Sequence, residues 1–463
     1  MELKVKAVYD PGFLPMVKYV DEYASDVQKA EHQKIAISVV RNQGYTHTLK
    51  MDAFKDGVAD ERNCKVVERI VKTFLWVYGG YKIIISGSKV IYDAIAKAYA
   101  KGGARDFDNG FMSGVYERPF EVQYIENVDD APESHESANP VGRHLDGCRI
   151  GFDAGGSDVK VSAVIDGESV YSEEIVWHPK TQTDPSYHFN GIRNAMLKAA
   201  EKMPRVDGIG VSSAGVYIDN RAMVASLFIK LSEEDKIKCQ NIYLDVAKTI
   251  GKDIPIEVAN DGDVTALAGA MDLNDNCVLG IAMGTSEAGG YVDQNGNITG
   301  WLNELAFVPV DMNPDAMVDE WSGDVGCGVK YFSQDSVIKL CPAAGIELDD
   351  SLTLAEKLKY VQNLHAAGDP RTPGIYETIG VYFGYQIAYY AKFYDIRHVL
   401  IMGRVTSGQG GQLLLQKAQE VLNTEYPELA KKIQLHIPDE NSRRVGQSVA
   451  AASLPEAKHE NLK

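Results

Sequence analysis

Apolar residues run in short blocks or alternate in some stretches of the chain and recur at helical spacing in others, and the switches between the two mark its elements. Lys34 to Val40 and Tyr45 to Met51, separated by Arg41-Asn42-Gln43-Gly44, predict a hairpin whose turn is supplied by Asn and Gly. Cys64 to Tyr78 has helical spacing, Tyr81 to Ile85 is an apolar strand, and Lys89 to Tyr99 returns to helix. Between the last two, Ser86 to Lys89 reads SGSK, either an anion site at a helix N-terminus or an ordinary strand-to-helix turn. Glu126 to Gly147 is polar and acidic and holds two prolines, which marks a linker.

Beyond the linker the pattern becomes regular. Strands are predicted at Cys148 to Asp153, Val159 to Ile165 and Ser169 to Trp177, then a helix at Tyr187 to Met203, strands at Gly208 to Ser212 and Ile254 to Val258, and a helix from Gly262 to Met271. A second half repeats the unit, with strands at Cys277 to Met283, Ala288 to Asp293 and Ile298 to Trp301, where Asn295-Gly296 makes a turn. Helices at Leu354 to Leu364 and Ile375 to Phe393, a strand at His398 to Met402 and a helix at Gly410 to Leu422 complete it. The expected fold class is α/β, with an N-terminal α+β domain over 1–147 and two similar halves, 148–275 and 276–463, around a cleft where a ligand would bind.

Each half opens with an apolar strand that breaks into small residues. Ile150 to Lys160 reads IGFDAGGSDVK, and Cys277 to Tyr291 reads CVLGIAMGTSEAGGY. Small residues of this kind can take positive φ and let backbone N–H groups approach an anion. Two such turns facing one another would make a phosphate cradle.

Charge narrows the partners. A net charge of −18 over 463 residues argues against a nucleic-acid surface, yet glycine-loop amides and a divalent cation can still hold an anionic nucleotide locally. The six cysteines, Cys64, Cys148, Cys239, Cys277, Cys327 and Cys341, show no CxxC spacing and suit reduced thiols. The start, MELKVKAVYD, lacks a signal-peptide core, and no uninterrupted apolar run approaches the ~20 residues of a membrane span. A cytoplasmic protein without membrane contact is expected.

With these motifs in view, the chain from about Cys148 to Pro455 resembles the ROK family of sugar kinases and sugar-sensing repressors, within the actin-like (RNase H-like) ATPase superfamily. Asp153-Ala154-Gly155-Gly156-Ser157 with Lys160 matches the first phosphate motif. Gly208 to Asp219, GIGVSSAGVYID, is similar to the segment that usually carries Pro-Gly, and Glu257 to Ala266, EVANDGDVTA, to the catalytic motif built on Asn-Asp. Gly284 to Val292, GTSEAGGYV, resembles the second phosphate motif, and Val399 to Gly403 the adenosine segment. By this resemblance Asp261 is the general base, worth on the order of 100 to 10,000-fold in rate, and Asn260, Glu304 and Gly215 meet the sugar. Asn260 and Asp261 could instead simply cap the helix that follows. Gly155, Gly156, Ser157, Gly284, Thr285 and Ser286 would surround the phosphates of ATP, Asp153 would hold Mg²⁺ through water, and Gly403 would pass close to the adenosine. Lys160 is either a phosphate contact or a strand-surface lysine, and Gly403 could be a plain strand-to-helix turn.

The pattern breaks in three places. The family's zinc ligands, one histidine and a C-x-C-G-x-x-G-C run, correspond here to Phe307, Glu320, Ser322 and Cys327. One thiolate cannot hold tetrahedral zinc, so no zinc is expected. Glu287 places a carboxylate in the second phosphate turn, where it either alters the nucleotide site or points away. The N-terminal region holds 12 Lys plus Arg and 11 Asp plus Glu in residues 1–80, which lacks the basic helix of a DNA-binding repressor module. It could cover the sugar cleft, support a dimer or bind a partner.

The function these features imply is an ATP- and Mg²⁺-dependent sugar kinase acting on a hexose or hexose derivative, with sugar and nucleotide as partners and a homo-oligomer, a dimer, expected. The rivals are a non-catalytic sugar sensor and an actin-like ATPase coupled to a protein partner.

Overall fold

The computed structural model describes residues 2–136, 140–438 and 440–457, with the backbone alone for 440–445. The chain forms two compact units. One comprises Met1–Ser137, Ile281–Gly289 and Trp301–Ile437, the other Ala138–Gly280, Gly290–Gly300 and Pro438–Lys463.

The first unit begins with helix α1 (Met16–Val27) and the hairpin β1 (His32–Val40) and β2 (Thr46–Phe54). Its turn works because Gln43 and Gly44 take φ of 58° and 79°, the twist that antiparallel neighbours need. Helix α2 (Asp60–Val77), strand β3 (Lys82–Ser86), helices α3 (Lys89–Ala98) and α4 (Asp106–Tyr116) and strand β4 (Glu121–Ile125) follow, giving a sheet of order β2-β1-β3-β4. Ser88 caps α3 by accepting from the Ile91 N–H, so SGSK is an ordinary capped turn.

The second unit holds strands β5 (Cys148–Ala154), β6 (Asp158–Ile165) and β7 (Glu168–Val176), helix α5 (Pro185–Ala200), and strands β8 (Gly208–Ser213), β9 (Val216–Ile218) and β10 (Arg221–Val224). Helices α6 (Glu233–Cys239) and α7 (Ile242–Ile250), strand β11 (Ile256–Asn260) and helix α8 (Asp261–Leu273) follow. Its five-stranded sheet runs β11-β8-β5-β6-β7, with β5 antiparallel to β6 and parallel to β8. Ile150, Phe152, Val161 and Val211 on one face pack with Ile192, Met196 and Tyr243, all buried.

Strands β12 (Val278–Met283) and β13 (Glu287–Val292) carry the chain from one unit to the other. The predicted third strand, Ile298 to Trp301, does not form; Ile298 makes one bridge to Val292, and its N–H goes to the Val141 carbonyl at 3.0 Å instead of a ladder. An Asx turn on Asp293, which accepts from the Asn295 and Asn297 N–H groups, closes the loop before it. Helices α9 (Gln334–Leu340), α10 (Leu354–Ala366) and α11 (Pro373–Tyr390), strand β14 (His398–Met402), helices α12 (Gln409–Glu425) and α13 (Pro427–Lys432) and strand β15 (Gln434–His436) complete the first unit, with sheet order β13-β12-β14-β15. Gly380 and Gly384 bring α11 onto α12, since a Cβ at Gly380 would stand 2.5 Å from the Leu414 carbonyl oxygen.

Helix α14 (Glu440–Ala452), which the sequence reading left out, returns to the second unit and covers the face of its sheet opposite α5 and α7. It lies on a floor of glycines. A Cβ at Gly151 would meet the Ser448 carbonyl oxygen at 1.9 Å and one at Gly210 the Ala451 carbonyl oxygen at 1.6 Å, so neither position can carry a side chain with the helix in place. Among the described residues no helix is long and apolar enough to cross a membrane, and no disulfide joins the cysteines.

Candidate functional site

In the second unit the strand ends β5, β8 and β11 lie side by side, which brings Asp153, Ser212 and Asn260 to one edge of the sheet. Ser212 donates to the Asp153 carboxylate at 2.9 Å. Burial pushes that carboxyl up to about 6, against the pull of the Ser212 hydroxyl, and the negative charge of Asp261 pushes in the same direction as burial. Asp261 is thus within electrostatic reach of Asp153.

Asp261 opens helix α8. Asn260 caps that helix by accepting from the Gly262 N–H at 2.7 Å, and its amide donates to the Gly215 carbonyl at 2.7 Å. The capping reading of Asn260 is therefore correct as structure, and it fixes the angle at which the next side chain leaves the strand. The Asp261 carboxyl is partly exposed, yet enough protein surrounds it that desolvation raises it above the ordinary carboxylate range, opposed by the Gly262 N–H at 3.0 Å. Gly215 itself is required by the backbone, with φ of 137° and the Val224 carbonyl oxygen 2.2 Å from any Cβ.

The first glycine turn joins β5 to β6. Neither Gly155 nor Gly156 uses positive φ; Gly155 is there because a Cβ would come within 2.6 Å of the Asp158 carbonyl oxygen. Lys160 stands opposite Asp153 in the β5–β6 register and pairs with Asp158 at 3.3 Å, while Ser157 donates to the same carboxylate at 2.9 Å. Three groups that sequence reasoning passed over lie at this turn or at the strand ends beside it. Trp177 donates its indole N–H to the Gly155 carbonyl at 2.8 Å and its backbone N–H to the Ser157 carbonyl at 3.0 Å. Lys180, three residues on, brings its ammonium to 3.0 Å from where a Gly156 Cβ would stand. Gln447 of α14 donates to the Ser212 hydroxyl at 3.1 Å and to the Asp261 carbonyl at 3.4 Å.

The first unit carries Gly284, Thr285, Ser286, Gly403 and Glu304. Gly284 N–H closes the second turn on the Ser286 carbonyl at 2.9 Å, and its own carbonyl accepts from the Gln334 N–H of α9 at 2.8 Å. Gly403 has φ of 99°, and a Cβ there would stand 2.4 Å from the Met283 carbonyl oxygen, which explains the glycine as close approach of β14 to β12. Arg404, also missed from sequence although it directly follows Gly403, donates to the Thr285 hydroxyl at 2.6 Å. Glu304 is held by its backbone N–H on the Trp76 carbonyl at 2.9 Å, so the N-terminal helix α2 positions it.

Glu287 points away from the turn. Its side chain is buried beside Tyr390 and Gly328, and burial raises it to about 8, with the charge of Glu304 adding to the rise. One carboxyl oxygen accepts from Tyr390 at 3.3 Å, and the other has no hydrogen-bond partner among the described residues.

The donor set at the four zinc-ligand positions does not fit zinc. Phe307 lies in an aromatic cluster with Trp76 at 4.2 Å and Phe107 at 5.7 Å, Glu320 pairs with Lys330 at 2.6 Å, and Ser322 donates to Asp319 at 2.6 Å. Burial pushes the Cys327 thiol up to about 12, a neutral group unsuited to a metal. In place of a metal, Asp324 accepts from Arg69 at 3.0 Å and Arg105 at 2.6 Å, with Lys72 at 3.4 Å.

No protein-family profile and no curated protein matches the sequence. Solved structures do. A ROK hexokinase from Thermus thermophilus superposes with a TM-score of 0.51 at 17% identity, covering 66% of this chain and 96% of that one. A ROK-family transcriptional regulator described as a homolog of the E. coli MLC protein gives 0.48 at 17% identity over 67% of this chain and 79% of its own. A ROK-family glucokinase from Streptomyces griseus, in complex with glucose and AMPPNP, gives 0.47 at 19% identity over 66% and 98%. At such identity the first of these shows a shared fold, the α/β fold of a ROK hexokinase.

Proposed function

We propose that this chain is a ROK-type sugar kinase that transfers the γ-phosphoryl group of ATP to a hydroxyl of a hexose or hexose derivative. The observation that carries the proposal is the placement of Asp261. It stands at the first position of α8, directly after the capping Asn260, and is raised by desolvation, with Asp153 and the first glycine turn in the same unit. A sugar hydroxyl is a weak nucleophile, and a desolvated carboxylate is a stronger proton acceptor than one in water, which is what the attacking hydroxyl requires.

The remaining assignments follow from the same reading. Asn260, Gly215 and Glu304 orient the sugar, Glu304 as a two-oxygen acceptor for neighbouring hydroxyls. The turns at Gly155-Gly156-Ser157 and Gly284-Thr285-Ser286 hold the phosphates of ATP, with Gly403 beside the adenosine. Asp153 is the carboxylate through which Mg²⁺ would be held; among the described residues no group of three metal-ligating side chains occurs, and a Mg²⁺ ion carried mainly by phosphates and water needs only one or two protein carboxylates. That ion would supply charge neutralisation on the transferred group. Dimerisation and a cytoplasmic setting complete the reading.

The test is ADP release against a panel of monosaccharides, run with the wild type and Asp261→Asn. At least one sugar is expected to stimulate release, and the variant is expected to lose at least about 100-fold in turnover while still binding ATP. Retention of more than about a tenth of wild-type turnover removes Asp261 from the role of base. Calorimetry that shows sugar binding with no response to ATP and Mg²⁺ would make the protein a sensor, and ATP hydrolysis indifferent to every sugar would make it a partner-coupled ATPase.

A further inference from the structure

Among the described residues, Lys180 is a cation beside the first glycine turn that the assignments above leave without a task. It sits in a short helical turn, Pro179–Thr181, and its position is set by neighbours rather than by chance. Trp177, three residues earlier, is bonded to both ends of the glycine turn through the Gly155 and Ser157 carbonyls. On the other side, the buried His188 ring lies 3.1 Å from the Pro179 carbonyl and 3.0 Å from that of Leu227, and the Tyr187 hydroxyl holds the strand exit by accepting from the His178 N–H at 2.9 Å. The segment that carries the lysine is therefore pinned to the turn it overlooks.

The result is an ammonium group whose Nζ and Cε both lie 3.0 Å from the missing Cβ of Gly156. A Cβ at 156 would oblige the end of the lysine to give way by a few tenths of an ångström. Lys160, the cation that the sequence motif nominates, is engaged differently. Its ammonium is 3.3 Å from Asp158, which neutralises it at the surface of β6. Lys180 is exposed and forms no ion pair among the described residues. A cation held over a glycine turn without a carboxylate is available to an anion brought to that turn.

We infer that Lys180 is a phosphate-binding residue, contacting the polyphosphate tail of the nucleotide where it crosses Gly155-Gly156-Ser157. This inference rests on the kinase reading for the identity of the ligand, and its chemistry is that of a point charge against phosphate oxygens.

The experiment titrates the full-length wild type, Lys180→Gln, Lys180→Arg and Lys160→Gln with Mg–ATP and, in a parallel arm, with inorganic tripolyphosphate. Far-UV circular dichroism confirms that each variant is folded, which an exposed position favours. Lys180→Gln is expected to weaken Mg–ATP binding about 10-fold or more and to flatten its salt dependence, Lys180→Arg to restore most of the affinity, and Lys160→Gln to change it less than Lys180→Gln does. Wild-type Mg–ATP binding with Lys180→Gln within about twofold of it overturns the inference and leaves the kinase reading intact. Lys180-dependent binding of tripolyphosphate without binding of ATP supports the anion site and overturns the kinase reading. Binding of neither ligand by the wild type overturns both.

Discussion

Ser212 gives its hydroxyl hydrogen to Asp153 across the parallel β5–β8 pair at 2.9 Å, and Gln447 in turn bonds that hydroxyl from α14. Burial raises this carboxyl and the serine, by favouring the ionised form, pulls it back, the balance standing at about 6. Ser212→Ala is expected to raise the Asp153 pKa further, by roughly half to one unit. The acid limb of the kcat/KM profile for Mg–ATP then moves to higher pH, with activity near wild type above pH 8. A limb that stays in place would show that Asp153 does not govern nucleotide use.

Gly210 tests the glycine floor under α14. Alanine there drives a methyl into the Ala451 carbonyl, so Gly210→Ala is expected to cost about 1–3 kcal/mol or more in urea unfolding and to lower turnover as Gln447 is displaced from Ser212. Gly110→Ala, on an open face of α4, is the matched control and is expected to be neutral or to stabilise by about 0.5–1 kcal/mol. Equal behaviour of the two variants would contradict the close approach.

Asp324 anchors buried cations from the N-terminal segment. Asp324→Asn leaves Arg69 and Lys72 under-compensated in the interior and is expected to destabilise by about 3–5 kcal/mol, read by chemical denaturation. The exposed pair Lys431 and Glu428 offers the comparison, where Lys431→Ala is expected to change stability by less than about 0.5 kcal/mol.

Much of the second unit's edge can be read from the chain because its signals are local. Asp153 before two glycines and Asn260-Asp261 between an apolar strand and a helix are junctions whose geometry is written within a few residues. Helix α14 is a different case. Its partners are Gly151 and Gly210, far away in sequence, and glycines facing a helix leave no hydrophobic pattern on their own strand. Lys180 escaped notice because its relation to Gly156 is made by Trp177 and by the packing of His188 against the Pro179 carbonyl, neither of which has a spacing signature. Glu287 was ambiguous for a simpler reason: which way the first residue of β13 points depends on where the strand begins.

With its direction settled, Glu287 makes a prediction about pH. Its folded pKa of about 8 lies above the ordinary carboxylate value of 4.5, so the folded state holds the proton more tightly than the unfolded one. Its favourable contribution is complete below about pH 4.5 and is lost as pH rises through about 8. Glu287→Gln removes that dependence. Thermal melts are expected to show the variant more stable than wild type at pH 8, by about 1 kcal/mol or more, with little difference at pH 5. A parallel loss at both pH values would mean that the carboxyl is ionised in the fold.

The floor formed by Gly151 and Gly210 also leaves α14 no slack. With its backbone seated directly on both glycines, the helix cannot slide or roll while it stays docked. Any opening of this face of the sheet therefore has to lift the helix away, and the same motion takes Gln447 off the Ser212 hydroxyl that supports Asp153.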